Sequence, residues 1–359
     1  MEKTLRMGGV LDINYRVFWP CEFFSQIPLT ILLSTAAIAR TLLSPDLPKK
    51  HVTNGNLMRK IAFGYSTRCN IRCSHCVAAG ETPLAQKMEL ARARDIIREM
   101  AVAEVKGISF TAGEPFISFE DLLELIDLCS EKKIYTRVVT NSSWAKTPEQ
   151  AREKMHLLKQ SGLCQLRLSY SRWHQQHVPK QQVLYATEAC QEAGVDSFIS
   201  FVTDFSELDE PFEQYLRDNN VKFFPEPVIY AGRAENFIQQ PLFTDYQDNC
   251  CQMNPYLAPD LTMYACCDAG SHFSSTNFFR LGSLNDWSVD QLLTRSENNI
   301  LYNCIRTMGI TPIASYVGMK SRDIVTYRKC SLCKKLFNDP ETLSILQKAA
   351  AGNLLQWHR

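Results

Sequence analysis

From Met88 to Val105 the apolar residues fall at Leu90, Ala93, Ile96, Ile97, Met100 and Ala101, with Arg92, Arg94, Arg98 and Glu99 on the rest of the turn. That spacing is the period of an amphipathic helix. Gly107 then introduces a short β-type run, Ile108-Ser109-Phe110, and the alternation repeats down the chain. Helices are expected near Glu120–Lys132, Pro148–Gln160, Lys180–Ala193 and Glu207–Asn219. Strands are expected near Tyr135–Thr140, Gln165–Ser171, Asp196–Thr203 and Val221–Pro225, with a first strand at Ile61–Ser66. Six strands separated by five helices imply right-handed βαβ crossovers and a parallel sheet. The expected fold class is therefore α/β: a partial (β/α)6 TIM-like barrel followed by a small cysteine-rich C-terminal extension. In such a barrel, reactive groups belong at the C-terminal ends of the strands. Cys69, Cys73, Cys76, the Thr111–Pro115 segment, Asn141, Ser169 and Thr203 are thus expected at one mouth.

The ends of the chain depart from this rhythm. Residues 1–57 hold an apolar run, Ile27–Ala39, that is too short to span a bilayer unaided and is spoiled upstream by Pro28, Gln26 and Glu22. A signal peptide, a helix packed on the barrel, and translation starting at Met58 are competing readings of this segment. Near the other end, Asp339-Pro340-Glu341 reads as the cap and first turn of a helix that Gly352 stops, with a role in closing the open side of the barrel. The expected division is residues 1–57 as a leading segment, 58–234 as the barrel, 235–338 as the extension and 339–359 as the final helix.

Composition narrows the function. Lys plus Arg number 39 against 38 for Asp plus Glu, a net of +1, and no basic run exceeds two residues, so nucleic-acid binding has no electrostatic support. Fourteen cysteines is a high count, yet a chain of 359 residues at 45% hydrophobic content needs no disulfide staples to hold its core. Metal binding accounts for the excess. Thiolates that hold a metal must stay reduced, which points to the cytoplasm.

The segment Cys69-Asn-Ile-Arg-Cys73-Ser-His-Cys76 places three thiols, spaced C-x3-C-x2-C, on one loop after the first strand. A cluster of four irons takes one protein ligand per iron, so three cysteines leave one iron open to a substrate. Structural zinc normally asks for four closed ligands, and catalytic zinc usually recruits histidine or carboxylate, so zinc fits this loop less well. His174 and His177, three apart in Ser169–Pro179, form a conceivable metal pair, but no third ligand is near in sequence; pocket residues beside a substrate are the preferred reading.

The loop, with His75 in the aromatic-type place before the last cysteine, resembles the signature of the radical S-adenosylmethionine (SAM) enzymes. The resemblance covers about Lys60 to Cys333. It implies a 4Fe–4S cluster on Cys69, Cys73 and Cys76 whose open iron chelates SAM, and a 5′-deoxyadenosyl radical that abstracts a substrate hydrogen. Thr111-Ala112-Gly113-Glu114-Pro115 stands where the family reads Gly-Gly-Glu-Pro, the backbone that holds the methionine amino group of SAM. Ala112 replaces the first glycine, which matters if that position needs positive φ. His75, Ala112, Gly113, Glu114, Asn141 and Ser169 are the cofactor-binding residues the resemblance implies. Strand-end capping is the plainer reading of Asn141 and Ser169. Ser171 stands where some members carry aspartate.

Beyond the barrel, Gly232-Arg233-Ala234 resembles the exit that leads into the SPASM and Twitch extensions. Cys250-Cys251, Cys266-Cys267 and Cys330-x2-Cys333 then offer six thiols where one closed cluster needs four. Cys251, Cys266, Cys330 and Cys333 are the expected ligands of one auxiliary 4Fe–4S cluster; a zinc site of four thiolates is the rival. Leu261 replaces the extension's glycine, so the turn near Pro259-Asp260 must form without it. Cys250 and Cys267 are left over, either as hydrogen-atom donors to a substrate radical or as buried thiols. Cys21, Cys129, Cys164, Cys190 and Cys304 read as core.

The resemblance implies maturation of a ribosomally made peptide by epimerisation, crosslinking or backbone modification. Dehydrogenation or epimerisation of a sugar or aminocyclitol is the alternative, and a zinc-stabilised binding protein without redox chemistry is the rival of another class. Implied partners are a peptide or small-molecule substrate, an electron donor such as flavodoxin or ferredoxin, and a separate peptide-recognition protein. Neither nucleic acid nor a membrane span is expected.

Overall fold

The computed structural model describes residues 58–77, 86–238, 253–267, 278–324 and 329–357. The six expected strands form as β1 (Lys60–Gly64), β2 (Gly107–Thr111), β3 (Tyr135–Thr140), β4 (Gln165–Tyr170), β5 (Asp196–Thr203) and β6 (Phe223–Pro227). Each pairs in parallel with the next. The helices between them are Leu90–Val102, Phe119–Glu131, Pro148–Gln160, Lys180–Ala193 and Glu210–Asp218. Their boundaries follow local chemistry. Thr147 caps Pro148–Gln160 by accepting from the Gln150 N–H, and Gly194 ends Lys180–Ala193 in the left-handed region.

One face of the sheet carries Ile61, Phe63, Ile108, Phe110, Val138, Leu166, Leu168, Ile199 and Phe201, which join Ile96, Ile97, Leu125, Leu158 and Ala186 of the helices in one core. The other face carries the polar pairs. Arg137 Nε donates to Gln165 Oε1 at 2.5 Å, and Arg167 donates to Ser200 Oγ at 2.9 Å and pairs with Glu226. Period-two alternation thus puts most of the core on the outer face and the Arg137 and Arg167 pairs on the inner one.

The sheet does not end with the barrel strands. Three more, β7 (Tyr256–Leu257), β8 (Thr262–Tyr264) and β9 (Arg280–Ser283), extend it in the order β6-β5-β4-β3-β2-β1-β7-β8-β9. β7 lies parallel to β1, while β8 and β9 run antiparallel. The sheet stays open, with β6 and β9 at its edges. The β7–β8 turn forms without glycine. Leu261 adopts φ 70°, its N–H donates to Ala258 O at 3.0 Å, and Asp260 accepts from the Thr262 N–H at 2.9 Å.

At the C-terminus Asp339 caps the last helix through the Thr342 N–H, at 2.9 Å. That helix runs Pro340–Trp357 and continues through Gly352, which corrects the expected stop. A glycine inside a helix costs only about 1 kcal/mol, which neighbouring turns can absorb. The helix packs chiefly on Lys329–Asn338 and Ile300–Met308. Among the described residues no helix is long and apolar enough to cross a membrane. The expected apolar run Ile27–Ala39 and the rest of residues 1–57 lie outside the described residues.

Candidate active site

The loop of Cys69, Cys73 and Cys76 leaves β1 and is pinned by backbone bonds on every side. The Thr67 N–H donates to Gln86 O at 2.9 Å, Glu114 N–H to Arg68 O at 2.7 Å, and Arg233 N–H to Cys76 O at 3.1 Å. Cys73 is buried at 6% exposure, Cys76 is half-buried and Cys69 faces outward. Burial pushes the Cys73 thiol up to about 12, and the neighbouring Cys76 and Cys69 push the same way. Thiolates are the form that ligates a metal, and three of them on one short loop can meet one multivalent centre. The donor set therefore suits the metal centre expected of it.

The strand β2 ends in the segment that clamps this loop. Ala112 takes φ 67° and Gly113 φ 57°, so the position where alanine replaces glycine does lie in the left-handed region. A Cβ on Gly113 would stand 2.2 Å from Arg68 O, which makes glycine obligatory there. Glu114, 3% exposed, turns inward. Its Oε1 accepts from Thr140 Oγ1 at 2.7 Å and from the Phe116 N–H at 3.1 Å, and its Oε2 accepts from the Asn141 N–H at 2.7 Å. Burial pushes this carboxyl up to about 7 against the pull of those three donors. Glu114 thus locks β2 to the end of β3. Asn141 carries the lock to the cysteines: its Nδ2 donates to Asn70 Oδ1 at 3.1 Å and lies 3.9 Å from Cys69 Sγ.

The end of β4 closes the other side. His75 stacks on Trp173 with ring centroids 4.9 Å apart and meets His174 edge-on at 4.7 Å. His174, 5% exposed, bonds through Nδ1 to Ser171 Oγ at 2.8 Å. Burial lowers His75 to about 4, helped by the charges of Arg233 and Arg172, and keeps His174 well below its ordinary range. Both rings are neutral at pH 7. Ligand atoms of Cys73, His75 and His174 lie within 4.8 Å of one another. The conceivable metal pair of His174 with His177 is not the group the fold brings together. His177 is exposed, and His174 instead finds its neighbours in the cysteine loop, far away in sequence. Ser169 stands half-buried in β4 beside Ser200 of β5.

The turn Gly232–Ala234 completes the enclosure. Gly232 takes φ 59°, and a Cβ there would lie 2.6 Å from both Cys76 O and Val77 O. Nearby, Arg172 is held by Asp204 at 2.6 Å and Asp209 at 2.9 Å. This ion-pair group lies off the strands and carried no motif; for the inner-face residues Arg137, Arg167 and Glu226 strand alternation was the one signal that could have found them.

In the extension, Cys266 is buried after β8, Cys267 is half-buried, and Cys330 and Cys333 sit half-buried on the first turn of Lys329–Asn338. Cys266, Cys330 and Cys333 all pack into the main core. Cys250 and Cys251 lie outside the described residues, as does Cys21. Cys129 and Cys190 are buried, and Cys164 and Cys304 half-buried.

A model of the radical SAM superfamily matches residues 64–218. The YydG protein of Bacillus subtilis strain 168, whose name assigns it to peptide biosynthesis, is 21% identical over 303 residues, covering 80% of this chain and 94% of that protein. Among solved structures, Streptococcus suis SuiB bound to precursor peptide SuiA is 16% identical, with a TM-score of 0.43 over 78% of this chain and 75% of that one. BtrN in complex with AdoMet and 2-DOIA is 11% identical, with a TM-score of 0.43 over 70% and 89%. The superfamily match takes in the loop of Cys69, Cys73 and Cys76 and ends before the Gly232–Ala234 turn.

Proposed function

We propose that this protein is a radical SAM enzyme that modifies a ribosomally made peptide, by epimerisation, crosslinking or backbone modification. The observation that carries the chemistry is the cysteine loop clamped between the Gly113-Glu114 turn and the Gly232-Arg233 turn. Cys69, Cys73 and Cys76 would hold a 4Fe–4S cluster that, when bound, supplies the electron for cleaving SAM to methionine and a 5′-deoxyadenosyl radical. The residues around it have positioning tasks. Ala112 and Gly113 present backbone toward the methionine end, with Glu114 and Asn141 holding that backbone in place. His75, stacked on Trp173, offers a neutral aromatic wall for the cofactor, and Ser169 a hydroxyl at the end of β4. Burial of Trp173, Tyr230 and Ala234 beside this wall excludes water, which protects a reactive radical.

The substrate class rests on likeness to YydG over most of both chains. Residues 58–234 then serve as the catalytic barrel and 235–338 as an auxiliary-cluster region, with Cys251, Cys266, Cys330 and Cys333 as ligands. Cys250 or Cys267 would return a hydrogen atom in a redox-neutral reaction. A flavodoxin or ferredoxin would supply electrons in the cytoplasm, and a separate recognition protein would present the peptide. Anaerobic reconstitution tests the core of this reading. A brown protein with iron and sulfide in near-equal amounts, forming 5′-deoxyadenosine from SAM and dithionite, supports it. A colourless zinc protein that forms none refutes it.

A further inference from the structure

Arg233 differs from the ion-paired arginines of the barrel. Arg172 is matched by Asp204 and Asp209, and Arg167 by Glu226. Arg233 has its Nε buried with no hydrogen-bond partner, and no carboxylate among the described residues pairs with it. Glu235, two residues on, is held by Lys334 instead. Its backbone is fixed: its N–H donates to Cys76 O at 3.1 Å, and Gly232 packs against the carbonyls of Cys76 and Val77. The backbone that carries the guanidinium is therefore tied to the cysteine loop. Its charge reaches Cys69, Cys73 and His75.

An unmatched, partly buried cation is costly unless an anion completes it. Three thiolates on a four-iron core with two positive charges leave one net negative charge, and two after the core takes an electron. A fixed positive charge favours the more negative state. We propose that Arg233 is the counter-charge of the cysteine-loop cluster, and that it sets the potential at which that cluster is reduced. It is a positioning residue rather than a catalytic one. The step is a one-electron transfer from a low-potential donor to the cluster, and no covalent bond in the protein forms or breaks. This inference rests on the radical SAM reading above.

The test uses reconstituted enzyme titrated with dithionite and followed by electron paramagnetic resonance without SAM, for wild type, R233Q and R233K. At a fixed potential, R233Q is expected to lower the ratio of reduced to oxidised cluster by about tenfold, equivalent to about 59 mV for one electron. R233K should retain most of the wild-type ratio, because it keeps the charge. Coincident titrations of wild type and R233Q overturn the proposal. An unmoved titration with weakened SAM binding also overturns it, by making Arg233 a contact to the cofactor. Iron lost from R233Q but kept in R233K supports a role for the charge, whereas iron lost from both, with an intact circular dichroism spectrum, reduces Arg233 to a structural clamp. If wild type itself assembles no cluster, the radical SAM reading fails, and not this assignment within it.

Discussion

Replacing Glu114 with glutamine tests the lock that joins β2 to β3, and the outcome depends on pH. The carboxylate accepts the Asn141 N–H, the Phe116 N–H and the Thr140 hydroxyl while 3% exposed. An amide cannot face two backbone N–H groups with oxygen on both sides. One donor is left unpaired, at a cost of about 1–3 kcal/mol. The second effect has the opposite sign. Burial raises the carboxyl from its ordinary 4.5 to about 7 in the folded chain. The folded protein therefore keeps a proton that the unfolded chain releases. This contribution to stability is full below about pH 4.5 and is lost as pH rises through about 7, amounting to about 3 kcal/mol over the interval. Glutamine does not titrate, so E114Q should be destabilised by about 2 kcal/mol near pH 5 and by nothing, or less than nothing, near pH 8. Urea unfolding followed by tryptophan fluorescence measures this, because Trp144 stacks on Phe116 at 4.2 Å and bonds to Thr140 at 3.0 Å. A destabilisation that grows with pH would show that the three donors outweigh burial, and would refute the reasoning.

Changing Cys69, Cys73 and Cys76 together to alanine should remove about four irons per chain and abolish deoxyadenosine formation while the circular dichroism spectrum stays near wild type. C330S/C333S should remove a second cluster and stop substrate turnover while SAM cleavage persists; an unchanged iron count would show that this region holds none. C267A should keep its iron and deoxyadenosine formation but stall before product if Cys267 returns the hydrogen atom, and loss of iron would exclude that role. G232A should lower iron retention on dilution into chelator, because its Cβ would stand 2.6 Å from Cys76 O, and retention equal to wild type would mean the turn does not hold the loop. A112G should raise the urea midpoint by about 0.5–1 kcal/mol of stability, since alanine at φ 67° is strained where glycine is not.

Where sequence reasoning succeeded, the signal was local. Apolar period placed Pro148–Gln160 and Lys180–Ala193 at their observed bounds, because the residues that define a helix face lie within a few turns of one another. The C-x3-C-x2-C loop was legible for the same reason, its ligands being close in the chain. The barrel class followed from strands alternating with helices. That β7 joins the sheet beside β1, across most of the chain, left no trace in any window of the sequence.

The site divides along the same line. Residue types alone marked Cys69, Cys73, Cys76 and Gly113 as a metal loop and a tight turn. Only the folded chain brings His174 of the β4 end against His75 and Cys73, sets Asn141 beside Cys69, and buries Arg233 Nε with no hydrogen-bond partner among the described residues. Those are matters of distance between segments about seventy to a hundred residues apart, and a charge in sequence does not say which charges will surround it. Local spacing determines which elements and which chemistry the chain can have; packing decides which side chains meet and what each is worth electrostatically once water is removed.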